Sequence, residues 1–269
     1  MSSIVTHQGI VHYEVHGRGA PVILLHGWIN SWDVWRNSMI ALAGKGNHKV
    51  YALDFWGFGD SAKDKAPPFK LDSYVEMVEQ FMEVLGILCA PVLGHSMGGT
   101  VALRLALEHP ERVSRVGVVG SPIHGASLNY LLKLAGVPWI AHLLWRIPAA
   151  LRIVMWTVLA GDSRKVREMI FRDVNKASTE SFFRSIGDLH HTDLRDAVAG
   201  IEMPAIGLFG VGDNIVSPKQ STLMKSLMPD ACVEMMQHSR HFPMLDEPDL
   251  FNDLLLRFLQ VSMDEIAQG

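Results

Sequence analysis

The chain has 269 residues, of which 48% are hydrophobic and 19% charged, a composition that excludes a disordered or low-complexity protein. Its formal net charge of −4 lacks the basic excess that nucleic-acid binding requires. The two cysteines, Cys89 and Cys232, lie among apolar residues without CxxC or zinc-like spacing, so we expect reduced core residues and no metal site.

The chain also lacks the sequence signals of export and of membrane insertion. No Lys or Arg precedes Arg18 and no continuous apolar run follows the start, so we predict no signal peptide and a cytoplasmic location. Residues 84–103 are uncharged, which is long enough for a membrane span. Because this stretch contains Pro91 and four glycines, we instead expect a helix end, a buried strand, a turn and a helix start.

Short apolar runs alternate with amphipathic stretches in the first half of the chain. We predict strands at 10–15, 22–25, 50–53, 92–93 and 113–119, and helices at 32–42, 71–85 and 97–108. Strands that alternate with helices predict a mostly parallel sheet that is covered on both faces.

The alternation stops between residues 122 and 200, where apolar residues repeat at helical spacing over 140–159 and 166–174. It then resumes. The remaining expected elements are strands at 205–209 and 232–236 and helices at 218–227 and 249–259. We therefore predict an α/β core formed by 1–121 and 201–269, with 122–200 inserted as a helical cap. The insertion has a net charge of +3 and the remainder −7. The mild positive excess of the insertion is typical of a solvated face; alternatively, it attracts an anionic substrate.

Residues 91–103, PVLGHSMGGTVAL, place a serine between glycines where a strand is expected to turn into a helix. Such a turn needs glycine, and a side chain at its apex faces the carboxyl end of the sheet, where α/β proteins bind ligands. The Gly-x-Ser-x-Gly pattern is that of a nucleophile elbow, although the pattern alone is weak. Ser96 is therefore the candidate nucleophile, provided that the chain also supplies a base.

Two later stretches supply the partners that a serine nucleophile needs. Asp213 follows a predicted strand in GLFGVGDNIVSP (207–218), and His241 lies in SRHFPMLDEP (239–248), before the last helix. A neutral imidazole accepts the serine proton, and a carboxylate orients and stabilises the imidazolium. The oxyanion needs donors, for which we predict the backbone N–H groups of Met97 and Trp28.

Together these motifs resemble the α/β-hydrolase fold, in its capped serine esterase type. The matching segments are LLHGW (24–28), LDFWGFGDS (53–61), GHSMGG (94–99), GVGDNIVSP (210–218) and RHFPMLDEP (240–248). The resemblance implies an eight-stranded, mainly parallel sheet flanked by helices, a helical cap over the site, and hydrolysis of an ester-like bond without a cofactor.

One detail restricts the subfamily that the chain resembles, and another departs from the usual family pattern. Related dehalogenases and epoxide hydrolases have Asp at the elbow, so Ser96 disfavours those reactions. Relatives usually have Gly before the histidine, whereas this chain has Arg240, and a non-glycine residue does not freely adopt positive φ.

Other polar residues near these motifs have plainer interpretations. We expect His95 to pack beside the elbow and His26 to hold the oxyanion loop by hydrogen bonds. Asp54 and Asp60 are interpreted as turn residues around WGFG (56–59). The cluster DLHHTDLRD (188–196) lacks the i, i+4 histidine spacing of a metalloprotease helix, so we expect no metal there.

The leading functional hypothesis is hydrolysis of carboxylic esters or thioesters of small to medium apolar acyl groups. The alternatives are carbon–carbon bond cleavage, lactone opening, perhydrolysis or acyl transfer by the same triad, and a ligand receptor with a slow triad. The expected partner is a small-molecule ester, with no nucleic acid and no integral membrane segment. The sequence does not indicate an oligomeric state.

Overall fold

The computed structural model describes residues 2–63, 69–135 and 164–260 of the chain. Eight strands form one sheet in the order β1-β2-β4-β3-β5-β6-β7-β8. Their bounds are β1 Ser2–Thr6, β2 Gly9–His16, β3 Ala20–Leu25, β4 His48–Leu53, β5 Ala90–His95, β6 Val113–Val119, β7 Ala205–Gly210 and β8 Cys232–Met236. The β1–β2 and β2–β4 pairs are antiparallel and all other neighbours are parallel, so the predicted eight-stranded, mainly parallel sheet is confirmed.

Helices connect the parallel strands and cover the sheet. The described α-helices are α1 Arg36–Lys45, α2 Leu71–Val84, α3 Met97–Glu108, α4 Tyr130–Ala135, α5 Arg164–Val174, α6 Thr179–His191, α7 Lys219–Leu227, α8 Pro243–Asp246 and α9 Pro248–Gln260. The central strands are buried on both faces, as the fully buried run Val22–Leu25 illustrates. Parallel sheets require such covering because their connections place helices on both faces.

Between β6 and β7, the described residues form helices and no strand of the sheet. The apolar stripe predicted at 166–174 is confirmed by α5, which buries Val166, Met169 and Ile170. The stripes predicted over 140–159 lie beyond residue 135 and before 164, outside the described residues. The division into a core and an inserted cap at 122–200 stays a prediction.

The uncharged stretch 84–103 contains the end of α2, strand β5, a turn and the start of α3, as predicted. In the described part of the chain, every helix is too short or too polar to cross a bilayer. The expectation of core cysteines is wrong, since Cys89 and Cys232 are free and exposed. Cys232 begins the edge strand β8, where alternate side chains face solvent.

Candidate active site

The candidate nucleophile Ser96 lies between the end of β5 and the start of α3. Its backbone has φ 51° and ψ −118°, a conformation that non-glycine residues rarely adopt and that recurs at functional sites. The Ser96 N–H donates to the Val119 carbonyl at 2.8 Å, which fixes the turn to β6. A Cβ at Gly98 would lie 2.5 Å from the carbonyl oxygens of Leu25 and His26, so only glycine permits this close approach. The local geometry is that of the predicted elbow.

The structure brings the candidate base and acid together. The His241 Nδ1 donates to Asp213 Oδ2 at 2.8 Å, and both side chains are buried. The other carboxylate oxygen, Oδ1, accepts the backbone N–H groups of Ile215 at 2.8 Å and Val216 at 3.0 Å. Because both oxygens are occupied, Asp213 holds the imidazole in one orientation, with Nε2 left to act as an acceptor.

Ser96 and His241 line the same cavity, which has a volume of about 20 Å³. No hydrogen bond joins the Ser96 hydroxyl to His241 in the described part of the chain, and such bonds are often long before substrate binds. The other described residues that line the cavity are mainly apolar: Trp28, Ile29, Asn30, Leu128, Leu132, Ile170, Ile186, Leu189, Ile215 and Phe242. A cavity of this size holds about one water molecule, so an acyl chain binds only if the lining side chains separate.

The predicted oxyanion donors lie beside the elbow. Met97 is the first residue of α3, so its N–H has no acceptor within the helix. The Trp28 N–H also has no acceptor among the described residues. A Cβ at Gly27 would lie 3.1 Å from the Ser96 Cβ, so the loop before Trp28 is in contact with the elbow. This arrangement leaves two N–H groups for a developing negative charge.

Two further histidines support this region without taking part in the Asp213–His241 pair. His26 Nδ1 donates to the Gly27 carbonyl at 2.7 Å, and its Nε2 accepts the Phe55 N–H at 2.9 Å, as expected for a residue that holds the loop. His95 Nε2 donates to the His241 carbonyl at 2.8 Å. Burial lowers the pKa of His95 well below its ordinary value, so this side chain is neutral and packs against His241.

Arg240 does not strain the loop before His241. The described non-glycine residues with positive φ are Ile29, Asn47, Phe69 and Ser96, and Arg240 is not among them. Its N–H donates to Asp246 Oδ2 at 2.8 Å. The loop therefore has no requirement for glycine at this position.

The aspartates of the WGFG turn have hydrogen-bond partners other than His241. Asp54 Oδ1 accepts the Trp32 N–H at 2.7 Å, while Oδ2 accepts the Asp60 N–H at 2.9 Å and the His12 Nδ1–H at 2.8 Å. His12, Asp54 and Asp60 are also the described side chains whose spacing would allow a metal ion to bind. Because the oxygens of Asp54 already accept three hydrogen bonds, we interpret this cluster as a structural turn.

The adjacent histidines of the 188–196 cluster do not diverge as expected from neighbouring positions, because the ring centroids of His190 and His191 lie 5.0 Å apart. His191 is exposed and bonds the Gly187 carbonyl at 2.7 Å, while His190 is partly buried. Asp188 Oδ2 accepts the Leu71 N–H at 2.8 Å, which ties α6 to α2. A second tie between α6 and the core joins the Trp28 indole N–H to the Phe182 carbonyl at 2.8 Å.

Asn30 is a cavity residue that the sequence analysis missed. It lies two residues beyond Trp28, is 2% exposed, and lines the cavity that contains Ser96 and His241. The sequence holds no signal for it, because its position depends on the positive φ of Ile29 just before it.

Comparisons with known proteins agree with this architecture. A family model described as alpha/beta hydrolase fold matches residues 20–144. A pimeloyl-[acyl-carrier protein] methyl ester esterase from Legionella pneumophila is 25% identical over 263 residues, covering 93% of this chain and 99% of the relative. A hydrolase from Pseudomonas aeruginosa superposes with a TM-score of 0.82 at 20% identity, covering 97% of this chain and 98% of that one.

An esterase from Exiguobacterium antarcticum also superposes with a TM-score of 0.82, at 21% identity, and covers 94% of this chain and 96% of that one. These two structural likenesses concern the fold, whereas the family match and the esterase relative concern the sequence. The family match, the eight-stranded sheet and the two superpositions together show that the chain has the α/β-hydrolase fold, and the similarity to the methyl ester esterase supports an ester hydrolase.

Proposed function

We propose that the chain hydrolyses carboxylic esters or thioesters of small to medium apolar acyl groups through an acyl-enzyme. The nucleophile is Ser96, the base is His241, and Asp213 orients the base. The observation on which this proposal chiefly depends is the strained Ser96 in one cavity with a His241 whose Nδ1 is bonded to Asp213. The methyl ester esterase relative supports the same reaction class.

Each step has a residue to perform it. As the Ser96 Oγ attacks the ester carbonyl, its proton passes to His241 Nε2, and Asp213 stabilises the imidazolium that forms. The N–H groups of Trp28 and Met97 bind the oxyanion. When the intermediate collapses, His241 returns the proton to the leaving alcohol or thiol. Water then attacks the acyl-enzyme, His241 accepts its proton, and the acid and free Ser96 are released.

The apolar cavity lining supports the substrate class. Burial of each methylene contributes about 0.8 kcal/mol, so acyl chains gain binding free energy as they lengthen until the lining limits them. We therefore expect kcat/KM for 4-nitrophenyl esters to rise from acetate to butyrate or hexanoate and to fall for long chains. This expectation rests on the apolar helical stripes from Leu128 to Leu159, which lie largely outside the described residues. We propose that the 122–200 segment forms the cap.

The experiment combines active-site labelling with a substrate series. A fluorophosphonate should add one group to the intact protein at Ser96, and Ser96→Ala should abolish both labelling and turnover without loss of folding. The matched control is Ser226→Ala, since Ser226 is exposed on α7 and should label and turn over like the wild type.

Acyl thioesters and lactones are included in the substrate series to test the alternatives. Labelling elsewhere than Ser96, or full activity of Ser96→Ala, contradicts the proposed nucleophile. Activity that falls steadily from acetate contradicts the apolar acyl pocket.

A further inference from the structure

The side chain of Asn30 presents an unpaired polar group at the candidate active site. Asn30 is 2% exposed and lines the cavity that contains Ser96 and His241. Its Nδ2 is buried and has no hydrogen-bond partner among the described residues. Buried amides in native structures nearly always have a partner, because a buried donor without an acceptor is destabilising. An unpaired amide on a residue that lines a ligand cavity therefore points to a partner supplied by the ligand.

The backbone holds Asn30 in this position at a cost in strain. The Asn30 N–H donates to the Gly27 carbonyl at 3.2 Å, which closes a four-residue turn through Trp28 and Ile29. Ile29 has φ 58°, and for a β-branched residue this left-handed conformation is a true outlier. Strain of this kind persists where the surrounding structure enforces it, and it concentrates at ligand sites.

The proposed ester chemistry leaves the Asn30 amide without a role. Ser96 and His241 act as nucleophile and base, and the N–H groups of Trp28 and Met97 serve the oxyanion. Among the described residues, the remaining cavity side chains are aliphatic or aromatic: Ile29, Leu128, Leu132, Ile170, Ile186, Leu189, Ile215 and Phe242. Asn30 is thus the one described lining side chain that can bind a polar substrate atom outside the reacting ester.

We propose that Asn30 determines specificity by donating a hydrogen bond to a second acceptor oxygen on the substrate's acyl group. The preferred substrates are then oxygenated acyl esters, such as keto-acyl esters, and not plain alkanoyl esters. This inference rests on the proposed ester hydrolysis. A site that is built to bond a polar substrate atom discriminates strongly against the analogue that lacks it, because the site's own polar group is then left unpaired.

The test compares 4-nitrophenyl hexanoate with its 4-oxo and 5-oxo analogues, since a keto oxygen only accepts hydrogen bonds and the two positions sample the distance from the ester. We expect the wild type to prefer at least one oxo ester over hexanoate by about tenfold in kcat/KM, the equivalent of one retained hydrogen bond. Asn30→Leu should remove that preference. Asn30→Asp, which is nearly isosteric but has no N–H donor when ionised, should remove it as well.

The matched control is Asn37→Leu, the same change at an exposed position of α1, which should retain the wild-type preference. Thermal unfolding verifies that each variant is folded, and Asn30→Asp serves as the test if Asn30→Leu does not fold.

The outcomes separate this inference from the proposed function. If the wild type hydrolyses all three esters with kcat/KM values within twofold of one another, or if the preference for an oxo ester survives Asn30→Leu, the inference is overturned. Either result is still compatible with the proposed ester hydrolysis. An equal fall in kcat on all three esters also overturns the inference, because Asn30 would then serve the common oxyanion. Hydrolysis of none of them, with the lactones and thioesters equally inert, overturns the proposed function and this inference with it.

Discussion

Replacement of Gly120 by alanine tests whether the Asp213–His241 pair is the reacting pair. Gly120 follows β6 with φ 53°, and its N–H donates to the Leu208 carbonyl at 2.9 Å. A Cβ at this position would lie 3.2 Å from Asp213 Oδ2 and 3.3 Å from His241 Nδ1, the two atoms that share the 2.8 Å hydrogen bond. Gly120→Ala therefore pushes directly on that hydrogen bond.

The structure sets the size of two separate effects. A residue with a Cβ in the left-handed region lowers the free energy of unfolding by about 1–2 kcal/mol. For a domain of this size, that change lowers Tm by about 2–8 °C. The contacts require Asp213 or His241 to move by a few tenths of an ångström. Since a misplacement of about 1 Å costs about 100-fold in rate, we expect kcat to fall by about threefold to tenfold, with a much smaller change in KM.

Gly86→Ala provides the control for backbone strain. Gly86 also has positive φ, 67°, but a Cβ there would meet nothing within 4 Å. Both variants should lose similar amounts of Tm, measured by calorimetry, and only Gly120→Ala should lose kcat on the best 4-nitrophenyl ester. An unchanged kcat in Gly120→Ala, or an equal loss in both variants, would refute the assignment of this pair to catalysis.

The remaining predictions concern the acid and the buried His12–Asp54 pair. In Asp213→Asn, the amide oxygen accepts the two backbone N–H groups that Oδ1 accepts in the wild type, so the NH₂ group faces His241 Nδ1. This arrangement places the ring proton on Nε2, where the ring can no longer accept the serine proton. In steady-state assays kcat should therefore fall about 10⁴-fold, with KM within a few-fold of the wild-type value. An unchanged kcat would redirect the acid's role to another carboxylate. The hydrogen bond to Asp54 raises the pKa of His12 above 6.5. The contribution of this pair to the stability of the folded state is therefore fully present below pH 6.5 and is lost as pH rises through the raised pKa. Urea unfolding between pH 5.5 and about 9 should therefore show the wild type losing stability with rising pH and His12→Asn losing less, and parallel curves would contradict this linkage.

Much of the fold follows from the sequence because glycine spacing and apolar runs are local signals. The predicted bounds of α3, β6 and β8 coincide with those of the structure. Strand β1 was not predicted, because Ser2–Thr6 is a short edge strand with mixed exposure. Short edge strands of this kind have little apolar periodicity to detect.

The candidate triad is also a local inference, because each of Ser96, Asp213 and His241 lies in its own motif. The Asp213–His241 hydrogen bond agrees with the prediction, while the roles of all three residues stay proposals. Side-chain environments that depend on residues far apart in the chain could not be predicted from the sequence. The bond between His12 and Asp54 joins residues 42 positions apart, and the orientation of Asn30 depends on a backbone angle at Ile29.

Trp28 belongs to two parts of the molecule at once. Its backbone N–H is a proposed oxyanion donor, while its indole N–H is bonded to Phe182 of α6 and its ring packs against the Phe182 ring, with centroids 4.4 Å apart. A shift of α6 that makes room for a bulkier substrate therefore also moves the group that we propose stabilises the transition state. Substrate range and turnover are thus not independently adjustable in this scaffold. Laboratory evolution toward larger esters has to change α6 together with the Gly27–Asn30 turn.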